Sequence, residues 1–130
     1  PFTYGAIPMT WDYDGDPLDI EIVNITEPLV PGSLVEARVI GVMKFVDGGE
    51  VDDKIIAVLN DDRRSDHIKT VDDLGDYFKT ETKYFWENVK ALKKAGTGVV
   101  ETFYGPEEAM KVLNECSEKY QKEYAPKLEE

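Results

Sequence analysis

The chain has 130 residues, a formal net charge of −12 at pH 7 and a single cysteine. This length suffices for one domain with a hydrophobic core, and one cysteine excludes an intramolecular disulfide, so we expect a cytoplasmic protein. The acidic balance disfavours nucleic acids and anionic membranes as partners. No apolar stretch approaches the roughly 20 residues that a membrane span requires.

The first half of the chain predicts β-strands. Residues 18–25 alternate apolar and polar side chains and are rich in isoleucine and valine, which is typical of a strand. Residues 34–46 predict a second, longer strand that bends at Gly41, since a glycine within a strand often marks a bend or a bulge. After a loop at residues 47–53, residues 54–60 predict a third strand.

The second half predicts helices and a fourth strand. Thr70 is the predicted N-cap of a short helix, and residues 81–94 continue at helical spacing. Residues 98–105 predict a strand, and residues 106–125 predict an amphipathic helix. Strands followed by helices at one side indicate an α+β fold with a small antiparallel β-barrel and flanking helices.

Three further residues are expected to be structural. Phe85 and Trp86 lie on the apolar stripe of the predicted helix and are typical of core residues. Cys116, on the last helix, is expected to pack in the core or at its boundary.

Acidic residues concentrate in two short stretches. The first, DYDGDPLD, contains four aspartates: Asp12, Asp14, Asp16 and Asp19. The second, DGGEVDD, spans residues 47–53. Turns and N-caps commonly use aspartate, but like charges this close repel each other unless cations lie among them. The second stretch and the cations of Lys54 and Lys90 favour a site that binds metal and phosphate.

The available ligands indicate which metal this site would take. Carboxylate oxygens suit magnesium or manganese better than zinc, and His67 is the single histidine, for which a structural role near a helix is expected. An EF-hand is excluded, because counting from Asp12 places Gly15 at the fourth position and Val23 at the twelfth. That motif requires glycine at the sixth position and glutamate at the twelfth.

These segments resemble the magnesium-dependent inorganic pyrophosphatases of family I. The family signature D-x-D-P-x-D stands at residues 14–19, and the spacing D-x4-D-x-K recurs at Asp47, Asp52 and Lys54. Similar segments follow in SDHIKTVDDL and YFWENVKAL, so the resemblance covers nearly the whole chain. It implies a five-stranded OB-like barrel, a single domain over residues 1–130, and Mg²⁺-dependent hydrolysis of pyrophosphate to two phosphates.

The resemblance also implies a set of metal ligands. Asp14, Asp19 and Asp52 resemble the ligands of an activating metal, and Asp47 and Asp52 resemble ligands of metal that arrives with the substrate. Asp16 resembles the carboxylate that orients and deprotonates an attacking water between two metals, and it counts as a metal-site residue as well. Mg²⁺ is the implied cofactor, with Mn²⁺ as an alternative.

Further residues resemble the family's substrate-binding groups. Tyr4, Lys54 and Lys90 resemble groups that hold phosphate oxygens, and Lys54 is also a candidate catalytic residue because its charge stabilises the departing phosphate. The family pairs a tyrosine with the helix lysine, whereas this chain has Val89 before Lys90. A homo-oligomer, either a hexamer or a dimer, is the implied assembly.

Two alternatives to an active pyrophosphatase stay open. The chain begins at Pro1, after the strands that carry further charged residues in the family. A truncated or degenerate domain would bind metal or phosphate without turnover, so residues 1–130 alone are expected to hydrolyse pyrophosphate weakly or not at all. An OB-type module for single-stranded nucleic acid needs a basic groove with exposed aromatic residues, which the acidic stretches disfavour.

Overall fold

The computed structural model describes residues 2–89 and 96–128 and confirms an α+β architecture. The strands are β1 (Thr3–Ala6), β2 (Asp19–Ile22), β3 (Ala37–Asp47), β4 (Glu50–Val51), β5 (Lys54–Leu59) and β6 (Gly98–Tyr104). The helices in these ranges are α1 (Gly75–Asn88), α2 (Pro106–Lys119) and α3 (Ala125–Leu128). Short 3-10 turns lie at Arg63–Ser65 and Val71–Leu74, and a π-helical turn lies at Tyr120–Tyr124. None of the helices within the described ranges is long and apolar enough to cross a membrane.

The strands form one sheet in the order β1-β2-β5-β3-β4, and β6 pairs with the second half of β3. All neighbours are antiparallel except β2 and β5, which are parallel. The predicted small antiparallel barrel thus contains one parallel pair. The chain reaches β5 from β2 by way of β3, and such a crossover permits parallel pairing where a hairpin does not. Among the described residues no pairing joins β1 to β4 or β6, so the barrel is open.

The four predicted strands are confirmed, with shifted ends. Strand β2 is shorter than the predicted 18–25, and β3 begins three residues after the predicted 34. Strands β1 and β4, of 4 and 2 residues, were not predicted, because segments this short show too little periodicity to identify. Helix α1 begins at Gly75, well before the predicted 81, and residues 90–94 of that predicted helix lie outside the described part.

The predicted bend at Gly41 is confirmed as an irregularity in β3. The register with β5 shifts between Val39 and Gly41. A Cβ atom at Gly41 would lie 2.6 Å from the carbonyl oxygen of Tyr104 and 2.9 Å from Cβ of Val71. Only glycine permits this close approach of β6 and the turn at Val71 to the strand.

The sheet carries a hydrophobic core on each face. The α1-side core contains Val23, Ile40, Met43, Phe45, Ile56, Val58, Ile68, Val71 and Val100, with Trp86 packed against it. The α2-side core contains Leu18, Val42, Ile55, Ala109, Val112 and Cys116. Cys116 is thus in the core as expected.

Candidate active site

The parallel pairing of β2 and β5 positions the central cation of the site. Asp19 and Lys54 begin their strands and are direct partners in the register. Lys54 is 1% exposed, and its Nζ lies 2.5 Å from Oδ2 of Asp19 and 2.9 Å from Oδ2 of Asp52. The same Nζ donates to the hydroxyl of Tyr4 at 3.2 Å. A buried lysine is therefore held between two carboxylates and a tyrosine.

Aromatic rings surround the ammonium group of Lys54. Its Nζ lies 4.8 Å from the ring centre of Trp86, 5.3 Å from that of Tyr4 and 5.6 Å from that of Phe45. Burial by itself lowers the pKa of Lys54, but the hydrogen bonds and charges of Asp19 and Asp52 outweigh it and raise the pKa overall. Lys54 consequently stays charged at every physiological pH.

An acidic cavity of about 280 Å³ adjoins this lysine. Its lining residues are Tyr4, Asp14, Asp16, Asp19, Asp47, Glu50 and Asp52. Both acidic stretches of the sequence thus meet at one place, and all five aspartates predicted as metal-site residues line the cavity. Burial raises the pKa of Tyr4, so its hydroxyl remains a hydrogen-bond donor.

The turn at residues 12–16 brings the first aspartates to this cavity. The backbone N–H of Asp12 donates to the carbonyl oxygen of Asp16 at 2.8 Å, and Gly15 has a φ of 83°. The backbone N–H of Asp16 donates to Oδ1 of Asp14 at 3.0 Å. The ordinary turn chemistry of aspartate is therefore present, and the second oxygen of Asp14 remains available to a ligand.

Three carboxylates come close enough to share one cation. Asp12, Asp14 and Asp52 each offer an oxygen within 4.8 Å of the other two. Burial raises the pKa of Asp52 to about 7, although Lys54 opposes this. Burial likewise raises the pKa of Asp12 to about 6. Burial thus makes the charged forms of Asp12 and Asp52 costly, and the oxygen-only donor set of the three residues fits a hard divalent cation.

The group of three differs from the predicted ligand set in one member. Asp12 stands with Asp14 and Asp52, whereas Asp19 lines the same cavity and forms its ion pair with Lys54. Asp12 was not among the predicted metal ligands. Its place in the acidic stretch, two residues before Asp14, was the available signal.

A second cavity, of about 230 Å³, opens beside the first and shares Tyr4, Asp47 and Asp52 with it. Lys54, Trp86 and Val89 are among its other lining residues. Trp86 thus packs against the core, as expected, and also reaches the site.

Asp53 and His67 line neither cavity, and a third residue of interest lies outside the described residues. Lys90, a predicted phosphate ligand, lies outside the described residues. Asp53 faces away from the acidic cavity, pairing with Lys44 at 3.1 Å and accepting from the backbone N–H of Phe45 at 3.2 Å. His67 is exposed and lines neither cavity.

Comparisons with known proteins agree with this geometry. A model of the family described as inorganic pyrophosphatase matches residues 1–121. The inorganic pyrophosphatase of Neisseria meningitidis serogroup B is 48% identical over 124 residues, covering 95% of this chain and 70% of the relative. The crystal structure of an inorganic pyrophosphatase from Neisseria gonorrhoeae has a TM-score of 0.86 at 50% identity, covering 91% of this chain and 68% of that one. The Thermus thermophilus inorganic pyrophosphatase structure has a TM-score of 0.84 at 38% identity, with the same coverage of 91% and 68%.

Proposed function

The chain belongs to the inorganic pyrophosphatase family, and we propose that it hydrolyses pyrophosphate to two phosphates with the help of Mg²⁺. The observation that carries this proposal is the acidic cavity beside the buried, charged Lys54. Asp14, Asp19 and Asp52 would hold one cation, with Asp12 close to them, and Asp47 would help to hold another. Mn²⁺ has the same preference for oxygen ligands and is the expected substitute.

Electrostatics explains why this cavity suits an anionic substrate only when cations are present. Six carboxylates line it, and pyrophosphate itself carries several negative charges, so the two repel each other. Divalent ions held here would neutralise the phosphates and lower the pKa of a bound water. Carboxylate ligands can therefore serve a reaction on an anionic substrate, because the cations they hold would offset the repulsion.

The chain's own residues supply the remaining functions. Asp16 is exposed at the cavity, where its carboxylate would accept the proton of the attacking water. The ammonium group of Lys54, whose charge does not change over the physiological pH range, would hold one phosphate oxygen. The hydroxyl of Tyr4 would donate a hydrogen bond to a second phosphate oxygen. The family resemblance gives Lys90 the same phosphate-binding role.

Two wider features complete the proposal. We infer a homo-oligomer, on the resemblance to a family of hexamers and dimers. We also infer a cytoplasmic location, on the single cysteine, with no nucleic acid or membrane as partner because of the acidic charge. The non-catalytic alternative is not favoured, since named pyrophosphatases match across almost the whole chain.

Phosphate release from pyrophosphate at saturating Mg²⁺ tests the proposal. Measurable turnover by the wild-type chain, even at the weak rate expected of residues 1–130, would support the proposal, and we expect Asp16→Asn to lower kcat by about 10² to 10⁴-fold, because an amide cannot accept the proton. Asp61→Asn is the matched control: it removes one charge from an exposed position beyond the far end of β5, and kcat should not change.

Each result of this assay has a clear meaning. Absence of phosphate release by a folded wild-type chain that binds Mn²⁺ would overturn the proposal in favour of a domain without turnover. A wild-type rate for Asp16→Asn would overturn the role of Asp16 alone. The same measurement tests the expectation that residues 1–130 turn over weakly.

A further inference from the structure

We propose that Asp12 is an additional metal-binding residue, and that its buried carboxylate, together with Asp14 and Asp52, binds a divalent cation. This inference rests on the proposed function, because it adds a residue to the same site. Asp12 falls outside the signature D-x-D-P-x-D and its downstream spacing. The case for it therefore rests on its position in the structure.

The first argument is an unsatisfied buried oxygen. Asp12 is 2% exposed. Its Oδ1 accepts a hydrogen bond from the backbone N–H of Tyr13 at 2.8 Å, and the thiol of Cys116 lies 3.8 Å from the same oxygen. Its Oδ2 is buried and has no hydrogen-bond partner within residues 2–89 and 96–128. Burying a charged carboxylate oxygen without a partner is unfavourable.

The second argument is that another such oxygen lies in the same group. Oδ1 of Asp52 is also buried and without a hydrogen-bond partner in the described part of the chain. Asp12, Asp14 and Asp52 all place an oxygen within 4.8 Å of one another. One cation bound among them would give a partner to the two unpartnered oxygens, and an all-oxygen ligand set suits a hard divalent cation such as Mg²⁺ or Mn²⁺.

Within residues 2–89 and 96–128, no neighbouring cation pairs with the unpartnered oxygen of Asp12. Lys119 is close, but its Nζ donates to the backbone carbonyl of Asp12 at 3.2 Å and lies 4.4 Å from the ring centre of Tyr13. Burial raises the pKa of Cys116 to about 12, so the thiol stays neutral. Lys54 pairs with the carboxylates of Asp19 and Asp52 instead.

A purely structural role would need only one of the two oxygens. Oδ1 completes the turn through the N–H of Tyr13, and the side-chain oxygen of an asparagine would accept that bond equally well. The second, charged oxygen adds a cost to folding and nothing to the turn. A bound cation gives that oxygen a function.

The test is a titration of the full chain with Mn²⁺. Binding is measured by calorimetry and by the electron paramagnetic resonance signal of free Mn²⁺. We expect Asp12→Asn to weaken Mn²⁺ binding by about 10- to 100-fold, because it keeps the turn but removes the charge. Asp14→Asn should also weaken binding, and the charge-matched control Asp61→Asn should leave it unchanged. Wild-type affinity in Asp12→Asn, beside a clear loss in Asp14→Asn, would overturn the inference.

A second variant protects the test against misfolding. Asp12→Ser retains a short side chain that can accept from the N–H of Tyr13, and its Mn²⁺-induced rise in melting temperature should be smaller than that of wild type. An undiminished rise would contradict the inference.

Phosphate release, measured separately, distinguishes this inference from the proposed function. If the wild-type chain binds Mn²⁺ through Asp12 but releases no phosphate, the proposed pyrophosphate hydrolysis is refuted and the metal-binding role of Asp12 stands. A wild-type chain that hydrolyses pyrophosphate, with Asp12→Asn binding Mn²⁺ normally, would refute the role of Asp12 alone.

Discussion

The two faces of the sheet are built from the same strands, yet they bury different charges: the α1 side buries a lysine, whereas the buried carboxylate of Asp12 lies against Cys116 of the α2 side. The α2-side core is composed of apolar side chains and one neutral thiol. The α1 side buries Lys54 and Glu21 among the aromatic rings that pack there. Strand β5 shows the contrast directly, because Lys54 and Ile55 are adjacent, almost fully buried and on opposite faces. On the α1 side, opposite charges and the faces of aromatic rings surround the buried lysine.

Glu21 shows how far this face departs from an ordinary core. It is fully buried, and burial raises its pKa to about 7. Its Oε1 accepts a hydrogen bond from the indole Nε1 of Trp86 at 2.5 Å, while Oε2 has no partner within the described ranges. The ring of Trp86 in turn contacts the ammonium of Lys54. The unfavourable burial on the α1 side is therefore that of Glu21, whereas the ion pairs of Lys54 favour its charged form.

The largest expected effect comes from replacing either of the two neighbours on β5 by alanine. Lys54→Ala should lower kcat by about 10² to 10³-fold, because it removes a preorganised charge from the phosphate site. Ile55→Ala should lower the free energy of unfolding by about 2–5 kcal/mol and leave kcat nearly unchanged. Steady-state kinetics at saturating Mg²⁺ and urea unfolding of both variants provide the measurements.

The opposite pattern would contradict the division between the faces. If folded Ile55→Ala lost as much kcat as Lys54→Ala, the α2-side core would have to influence the chemistry. If Lys54→Ala kept its kcat, the buried lysine would serve stability alone.

The sequence predicted the members of the site better than their arrangement. The resemblance predicted the five aspartates, Tyr4 and Lys54 as site residues, and the structure brings these seven to one place; their roles stay predictions. The parallel pairing that sets Asp19 beside Lys54 depends on a crossover between distant segments, which local periodicity does not report.

Glu21 illustrates a second limit of sequence reasoning. In a sheet with one covered face, the alternation in DIEI would turn Asp19 and Glu21 toward water. Both faces of β2 are covered here, so the polar positions point inward and Glu21 becomes buried. Asp12 was missed for a similar reason, since a turn residue is ordinarily exposed and this one is covered by Cys116 on α2.

A second pair of adjacent residues, Asp52 and Asp53, sharpens the comparison with a smaller effect. Asp52→Ala should weaken Mn²⁺ binding by about tenfold or more, since it removes a carboxylate of the cation group. Asp53→Ala should leave Mn²⁺ affinity unchanged and lower the free energy of unfolding by about 1–3 kcal/mol, because the N–H of Phe45 and the ammonium of Lys44 lose their partner. Calorimetry with Mn²⁺ and urea unfolding in the absence of metal test both expectations. Weakened Mn²⁺ binding in Asp53→Ala would show that the whole second stretch belongs to the site.

The smallest expected effect concerns the two tryptophans of the chain, Trp11 and Trp86. Trp86→Phe should lower kcat/KM by about two- to thirtyfold, the rate equivalent of the 0.5–2 kcal/mol that a ring can contribute to a nearby cation. The phenyl ring also lacks the N–H that Glu21 accepts. Trp11 stacks on Tyr124 with ring centres 4.6 Å apart and lines neither cavity, so Trp11→Phe is the matched control and should keep its kcat/KM.

Fluorescence gives this last prediction an independent measurement. In Trp11→Phe the remaining indole is that of Trp86, 4.8 Å from Nζ of Lys54. Its emission should therefore change when phosphate and Mg²⁺ are added, because binding at Lys54 alters the electric field at the ring. In Trp86→Phe the emission of Trp11 should stay constant under the same additions. A response from Trp11 and none from Trp86 would mean that the ligand binds on the α2 side of the sheet. The proposal that phosphate binds at Lys54 on the α1 side would then be wrong.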